Sequence, residues 1–221
     1  MARHEIPYTV ETMRVADVPA VAALERLVFP VPWPARAFEY ELRHNPMSYF
    51  VVVRPHRSGP TQNHSSQQPA DNGPPQGLPP PSILGYGGFW FIVDEAHICT
   101  LAVHPDWRGR GLGELLLVRL IDRAAQIGAA VVTLEVRASN STAQTMYRKY
   151  GLVQTGLRKG YYSDNREDAI IMTTDLISSA GFQRRLQELK ASLWAKLSSQ
   201  KAAPASEENE PSHHGGTQIA A

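Results

Sequence analysis

Residues 101–128 read LAVHPDWRGRGLGELLLVRLIDRAAQIG, and this stretch decides the fold. It begins at the end of an apolar strand, passes through a glycine-rich turn, and continues as an amphipathic helix predicted over residues 112–127. Gly128 ends that helix, because glycine after the last apolar position is a common helix stop. A strand, a tight turn and a helix in this order predict an α/β domain in which the turn lies at the helix N-terminus.

The turn itself, residues 108–113, has the composition of an anion-binding loop. Glycine-rich backbone at the start of a helix exposes several N–H groups, and the helix dipole adds partial positive charge there. Arg108 and Arg110 add full charges, and a Cβ at Gly111 or Gly113 would keep the backbone away from a phosphate. The spacing is neither a Walker loop nor a dinucleotide fingerprint. A pyrophosphate site is therefore one interpretation, and a tight turn without a ligand is the other.

Short strands and helices alternate along most of the remaining chain. This order predicts a mixed sheet with helices on its faces. Apolar periodicity predicts strands over residues 8–13, 49–53, 83–92, 96–103, 131–136 and 169–176, and helices over residues 17–28, 35–42, 112–127 and 140–150.

Three further segments complete the domain organisation. Residues 54–82 contain eight prolines and three glycines. Such a segment cannot bury enough apolar surface to offset the entropy lost on folding. We therefore predict a disordered insertion in a domain that spans residues 1–177. The polar residues 202–221 predict a disordered tail. Residues 178–201 predict an amphipathic helix, which either packs on the domain or binds a partner or a membrane surface. Its apolar stripe consists of Phe182, Leu186, Leu189, Leu193 and Leu197.

Composition argues against several classes of function. The formal net charge of the 221 residues is +1, which provides no field for nucleic acid or an anionic membrane, and no apolar run is long enough to span a bilayer. Cys99 is the only cysteine; we interpret it as a small buried residue in a reducing compartment rather than as a nucleophile. The eight histidines show no metal-ligand spacing. We therefore expect a cytoplasmic monomer that binds no metal, no nucleic acid and no membrane.

Glu135 and Tyr147 are the candidate acid–base pair. Glu135 lies among apolar neighbours on the strand predicted over residues 131–136, where desolvation is expected to raise its pKa towards that of a general base. The hydroxyl of a tyrosine such as Tyr147 has a reference pKa of about 10, which suits protonation of a thiolate leaving group. The alternatives are that Glu135 is a surface strand residue and that Tyr147 belongs to a core stripe with Met146 and Tyr150.

The loop Arg108-x-x-Gly111-x-Gly113, placed after a strand, resembles the acetyl-CoA loop of the GNAT superfamily of N-acetyltransferases. Over residues 8–53 and 83–177 the chain is similar in particular to the ribosomal-protein-alanine N-acetyltransferases, the RimI branch. The strings that carry this similarity are FPVPW (29–33), LEVRASN (134–140), MYRKYG (146–151), RKGYY (158–162) and REDAIIM (166–172).

The resemblance implies a GNAT fold, an α/β architecture whose mixed, mostly antiparallel sheet is splayed between its fourth and fifth strands and flanked by helices. The pantetheine arm of acetyl-CoA, the implied co-substrate, would enter that gap. The resemblance makes Glu135 the base and Tyr147 the acid. It places Tyr161, Tyr162 and Trp33 against the acceptor. It assigns the acetyl-CoA contacts to Leu101, Ala102, Val103, Arg108, Gly109, Arg110, Gly111, Leu112, Gly113, Glu114 and Asn140.

The implied reaction transfers the acetyl group to a protein N-terminal α-amine by direct attack in a ternary complex. The implied acceptor is the N-terminal alanine of protein 18 of the small ribosomal subunit. Two alternatives stay open, namely an acetyltransferase for lysine side chains or small amines, and a non-catalytic acyl-CoA-binding module. The chain departs from the family pattern at Glu114, where a basic residue is frequent, and at Leu152, where Phe is usual. The first departure puts the attraction for phosphate in question.

Overall fold

The computed structural model describes residues 6–56 and 81–200. Apart from its two ends, the predicted insertion at residues 54–82 lies outside the described residues, and so does the predicted tail at residues 202–221.

The described residues form one seven-stranded sheet with the order β1-β2-β3-β4-β5-β7-β6. Neighbouring strands run antiparallel except β4 and β5, which are parallel, so the predicted mixed and mostly antiparallel sheet is confirmed. The strands are β1 (Tyr8–Thr12), β2 (Ser48–Pro55), β3 (Gly85–Ile92), β4 (Glu95–Val103), β5 (Val131–Arg137), β6 (Leu152–Arg158) and β7 (Ala169–Thr174).

Helices cover both faces of the sheet, as the sequence predicts. The helices are α1 (Val18–Val28), α2 (Ala35–His44), α3 (Leu112–Gln126), α4 (Ser141–Lys149) and α5 (Ala180–Ser198). Strand β2 shows why both faces are covered, because its side chains alternate between two apolar clusters. Phe50 and Val52 of β2 pack with α1 and α2, whereas Val51 and Val53 pack with α3 and α5. Within the described ranges, none of the helices is both long and apolar enough to cross a membrane.

Strand β6 is the one strand that the sequence pattern does not predict. It lies at the edge of the sheet and pairs only with β7. Leu152 is buried at its start, whereas Val153 and Leu157 are exposed. An edge strand with one buried residue lacks the apolar alternation by which strands are recognised.

Strands β4 and β5 separate after a short parallel stretch, which confirms the predicted splay. Their pairing begins at Glu95 and Val131 and ends at Ile98 and Leu134. On the other side of β4, the register with β3 shifts at the next residue, because Gly88 pairs with Thr100 and Phe89 pairs with Ile98. Cys99 is thus the extra residue of a β-bulge. A bulge bends its strand, and here it lies where β4 leaves β5.

We predict that this bend depends on close packing at Gly88. A Cβ at Gly88 would overlap the ring of Phe50. Gly88→Ala should therefore lower the free energy of unfolding by about 1–3 kcal/mol, the usual cost of overpacking a core, as measured by urea denaturation. Gly181→Ala on α5 is the matched control, because a Cβ there meets nothing within 4 Å. Equal unfolding midpoints for the two variants would contradict the packing described.

Candidate active site

The open edge of β4 forms one side of the gap. Leu101, Ala102 and Val103 pair with β3 on one edge, and past Ile98 their other edge has no pairing with β5. Backbone N–H and C=O groups on such an edge need a partner. An extended ligand with amide groups, such as pantetheine, would supply one by adding to the sheet.

The glycine loop begins just past β4, after a single 3-10 turn (Pro105–Trp107), and leads directly into α3. Gly109 and Gly111 both have a positive φ, 76° and 89° respectively, a region that side chains with a Cβ rarely occupy. Gly111 is the N-cap of the 15-residue helix α3. The first-turn amides of a helix lack intrahelical acceptors, so the predicted loop lies where an anion would be held.

Two other predicted loop residues also contribute to packing. Leu112 is buried in the apolar cluster beneath α3. A Cβ at Gly113 would lie 3.2 Å from Sδ of Met146 on α4. Gly113 therefore permits close packing of α3 on α4, in addition to the phosphate approach predicted from the sequence.

The charged residues around the loop are held in different ways. The guanidinium of Arg110 lies 4.5 Å from the ring centroid of Trp107, and Nε of Arg108 donates to the Val103 carbonyl at 3.3 Å. The Glu114 carboxylate is bound by the Lys149 ammonium and accepts a hydrogen bond from the Tyr150 hydroxyl at 2.8 Å. Because its charge is paired between α3 and α4, Glu114 opposes phosphate binding less than the sequence suggests.

Glu135 is the first residue of β5 beyond the last β4–β5 pair, at the fork of the gap. Its side chain is only 9% exposed, and both carboxylate oxygens have a partner. Nε2 of His97 on β4 donates to one oxygen at 2.5 Å, and Nε of Arg158 on β6 contacts the other at 3.0 Å. The carboxylate is therefore bound from β4, which adjoins β5, and from β6, which lies beyond β7.

These partners set the ionisation of Glu135. The hydrogen bond from His97 is the largest influence and, together with Arg158, holds the pKa of the Glu135 carboxyl below its usual range despite its burial. The expectation of a raised pKa was therefore wrong. That expectation considered only desolvation, which raises the pKa of a carboxyl. Hydrogen-bond donors to the ionised carboxylate lower its pKa and here outweigh desolvation. His97 and Arg158 are site residues that the sequence analysis missed.

Tyr147 lies close to the tyrosines of the β6–β7 connection. Its side chain is 7% exposed, and burial raises its pKa, with a further contribution from Tyr162. Burial likewise raises the pKa of Tyr162 to about 12, and Tyr161 and Glu135 are near enough to add to that shift. Tyr161 meets Tyr162 edge to face at 5.3 Å. The structure thus brings Glu135, Tyr147, Tyr161 and Tyr162 into one neighbourhood.

Arg137, at the end of β5, holds this tyrosine-bearing connection in place. Its guanidinium contacts carboxylate oxygens of Asp164 at 2.8 Å and of Glu167 at 3.1 Å, and it lies 3.9 Å from the ring centroid of Tyr162. Glu167 in turn accepts a hydrogen bond from the Ser139 amide at 2.7 Å. Arg137 belongs to the LEVRASN string, which carries the resemblance, but the sequence alone assigned it no role.

A chain of ring contacts connects the α1–α2 connection to Glu135. Trp33, in the α1–α2 connection, stacks on Trp90 of β3 with ring centroids 5.8 Å apart. Trp90 meets the ring of His97 edge to face at 6.3 Å, and His97 contacts Glu135. Trp33 therefore lies on the same side of the sheet fork as the candidate base, two rings away from it.

Glu25 on α1 binds the backbone of Trp33. One of its oxygens accepts a hydrogen bond from the Trp33 backbone amide at 3.0 Å, and the other is buried without a partner among the described residues. The residue is 3% exposed, and burial raises the pKa of Glu25 to about 7. A buried carboxylate is unusual in a helix that is otherwise apolar on this face, and that pattern could have identified it from sequence.

The remaining candidates are simpler. Asn140 is exposed and caps α4, with its side-chain oxygen accepting from the Ala143 amide at 3.1 Å. The Cys99 thiol donates to the Gly88 carbonyl at 3.4 Å, and burial raises its pKa, which disfavours the reactive thiolate. In the part of the chain that the structure describes, no group of three or more His, Cys, Asp or Glu residues is arranged to hold a metal ion.

Comparison with known proteins identifies relatives over most of the chain. The model of the Acetyltransferase (GNAT) family matches residues 18–152. A candidate ribosomal protein bS18-alanine N-acetyltransferase of Bacillus subtilis (strain 168) is 34% identical over 163 residues, which are 74% of this chain and 92% of that protein. The N-alpha-acetyltransferase RimI of Mycobacterium tuberculosis is 33% identical over 175 residues, 76% of this chain and 93% of that protein. The crystal structure of the ribosomal-protein-S18-alanine N-acetyltransferase from Escherichia coli matches with a TM-score of 0.60 at 30% identity, covering 79% of this chain and 96% of that one.

We predict that Glu25 makes the stability of the protein depend on pH. Its pKa is about 7 in the folded protein against an ordinary value of 4.5, so the folded state binds more protons between these two pH values. Stability is therefore highest below the lower value and is lost as pH rises through the higher one. At about 1.4 kcal/mol per pKa unit the loss amounts to about 3 kcal/mol.

The test compares urea unfolding of wild type and Glu25→Gln from pH 4.5 to pH 7.5. The variant cannot titrate at this position, so the difference in unfolding free energy between it and wild type should change by about 3 kcal/mol across the series, in favour of the variant at high pH. Glu39→Gln, at an exposed position of α2, is the matched control. Parallel curves for wild type and Glu25→Gln would contradict the prediction.

Proposed function

Because this chain belongs to the GNAT family of acetyltransferases, we propose that it transfers an acetyl group from acetyl-CoA to the N-terminal α-amine of a protein. The observation that carries the proposal is the fork between β4 and β5, where an open strand edge, a glycine loop and the Glu135 carboxylate come together. The names of its relatives supply the acceptor, the N-terminal alanine of ribosomal protein bS18. A cytoplasmic location, a monomeric state and the absence of nucleic acid contacts stay predictions.

The residues at the fork fit acetyl-CoA along its length. The first amides of α3, together with Arg108 and Arg110, suit the pyrophosphate. The open edge of Leu101, Ala102 and Val103 suits the two amide groups of pantetheine. Acetyl-CoA supplies the acetyl group as an activated thioester. A backbone N–H near Val103 would polarise the thioester carbonyl, since preorganised donors favour the developing negative charge.

Glu135 acts on the acceptor amine. Its lowered pKa keeps it ionised at neutral pH, so the carboxylate attracts the ammonium form and takes a proton from it, directly or through a water, as the amine attacks. The ring of His97 shares a 2.5 Å hydrogen bond with Glu135 and holds the carboxylate in place.

Tyr147 acts on the leaving thiolate. Its raised pKa keeps the hydroxyl protonated at neutral pH, and a thiolate of CoA needs one proton to leave as a thiol. The position of Tyr147 on α4, the helix that packs against the start of α3, suits this role. The nitrogen loses its second proton as the amide forms, and that proton restores the Tyr147 hydroxyl. The reaction then proceeds by direct attack in a ternary complex, with no covalent enzyme intermediate.

Aromatic side chains surround the place where the acceptor would bind. Trp33 and Trp90 lie on one side of Glu135, and Tyr161 and Tyr162 lie on the other. An acceptor that binds between these four large rings would best have a first residue with a small side chain, such as alanine. The fraction of uncharged amine favours the same acceptor, because only an uncharged amine can attack. At pH 7 about one α-amine in ten is uncharged, against about one lysine side chain in a few thousand.

The chemical roles predict a specific kinetic pattern. Glu135→Gln and Tyr147→Phe should each lower kcat roughly 100-fold or more, while the Kd for acetyl-CoA stays within about twofold of wild type. Steady-state kinetics with an alanine-first peptide and calorimetry with acetyl-CoA provide the measurements. Glu39→Gln, at an exposed position of α2, is a control that removes a carboxylate and leaves Glu135, Tyr147 and the contacts of Arg137 in place. Wild-type turnover in the two variants would assign them structural roles.

The acceptor assignment predicts where the acetyl group goes. A peptide with a free N-terminal Ala and an internal Lys should be acetylated on its α-amine, far faster than the same peptide with a blocked N-terminus. Mass spectrometry of the product locates the group. Acetylation of the lysine with an untouched α-amine would overturn the proposal in favour of a lysine or small-amine acetyltransferase. Binding of acetyl-CoA without transfer to any amine would favour the non-catalytic module.

A further inference from the structure

Helix α5 lies outside residues 18–152, the part of the chain that the family model matches, yet it is built into the domain. Three residues of its apolar stripe, Leu186, Leu193 and Leu197, are at most 2% exposed and belong to the same cluster as the buried face of α3. Lys190 forms an ion pair with Asp122 of α3. The described part of the helix therefore packs on the domain through its apolar face.

The C-terminal turn of α5 and Gln200, two residues beyond the helix, reach the glycine loop. Nζ of Lys196 donates to the Gly109 carbonyl at 3.4 Å, and Nε2 of Gln200 donates to the Arg110 carbonyl at 2.9 Å. The side chains of Leu193 and Leu197 come within 3.3 and 3.4 Å of the place where a Cβ of Gly111 would lie.

Gln200 is itself held in place. Its side-chain oxygen accepts a hydrogen bond from the Tyr8 hydroxyl of β1 at 3.1 Å. The donor end of Gln200 thus points at the loop while its acceptor end is fixed by the first strand of the sheet. A side chain bonded at both ends loses little further freedom when it orients the loop.

These contacts fix which way the loop amides point. In a planar trans peptide the C=O and N–H groups face opposite directions. The carbonyls of Gly109 and Arg110 point at α5, so the N–H groups of Arg110 and Gly111, which complete the same two peptide units, point away from it. A loop with two glycines at positive φ has many other conformations available, and α5 selects this one.

We propose that α5 is a positioning element for the acetyl-CoA loop, in which Lys196 and Gln200 bind the loop carbonyls and thereby turn the Arg110 and Gly111 amides towards the pyrophosphate. The inference rests on the proposed function in one respect, that the loop binds the pyrophosphate. Lys196 and Gln200 act through the loop and touch no reacting atom.

The test combines two substitutions that remove the donors and keep the side-chain bulk, Lys196→Met and Gln200→Met. The Kd for acetyl-CoA, measured by calorimetry, should rise about threefold to tenfold for each variant and further for the double variant, the scale expected for losing one positioning hydrogen bond. The KM for acetyl-CoA should rise in parallel while kcat stays near wild type. With S-acetylpantetheine, an acetyl thioester that lacks the pyrophosphate, kcat/KM should not change.

Two matched controls separate this role from general stability. Lys190→Met removes a lysine from the same helix that pairs with Asp122 and not with the loop. Tyr8→Phe removes the hydroxyl that holds Gln200 and leaves the Gln200 donor intact. The Lys190 variant should bind acetyl-CoA like wild type, and the Tyr8 variant should lose less affinity than Gln200→Met. Lys196→Arg, which keeps a donor and the charge, should restore most of the affinity.

Three outcomes would overturn the inference. One is an unchanged Kd in a double variant whose urea midpoint shows that it is folded. Another is an equal loss of kcat/KM with S-acetylpantetheine, which would indicate a general structural defect. The third is a loss confined to Lys196→Met that disappears at high ionic strength, which would mean that the lysine acts on the phosphates by charge alone. If wild type does not bind acetyl-CoA, the proposed function fails rather than the role of α5.

Discussion

The departure of β4 from β5 after Ile98 is the constraint on which the rest of the site depends. A parallel pair that continued to the end of both strands would satisfy the backbone of Leu101 and Val103 within the sheet and leave no room for a ligand. The bulge at Cys99 occurs where the pairing ends, and it bends β4 without breaking its pairing with β3. The opening is therefore held by the remainder of the sheet, and Glu135 lies at its apex.

The opening also explains the electrostatics of the site. A carboxylate at the apex is 9% exposed, and an ionised group so placed is stable only with donors around it. His97 from β4 and Arg158 from β6 supply them, one from each side of β5. Arg137, the next β5 residue with the same orientation, holds Tyr162 and its connection. Glu135 and Arg137, two residues apart on one strand, thus place the candidate base and anchor the connection that carries Tyr162.

The glycine loop is supported on its carbonyl side by Lys196 and Gln200. Its amides can serve an anion only if its carbonyls face elsewhere, and the carbonyls of Gly109 and Arg110 face the end of α5. Residues 18–152, which the family model matches, contain the loop but not this support. The apolar stripe of helix α5 packs in the same core cluster as α3, so the helix is part of the same folded domain as the loop.

Local patterns in the sequence determined the order of the helices and of every strand except β6. They also determined the glycine loop at the start of a helix, and the placement of Glu135 on one strand and Tyr147 on the following helix. The family resemblance added the splay and the acceptor class. Tertiary structure alone decided the sign of the Glu135 pKa shift, because it depends on His97, which is 38 residues away in sequence. It also decided the contact between Gln200 and Arg110, across 90 residues. Periodicity records which face of an element is apolar, whereas the partner that a polar side chain meets depends on how distant elements are brought together.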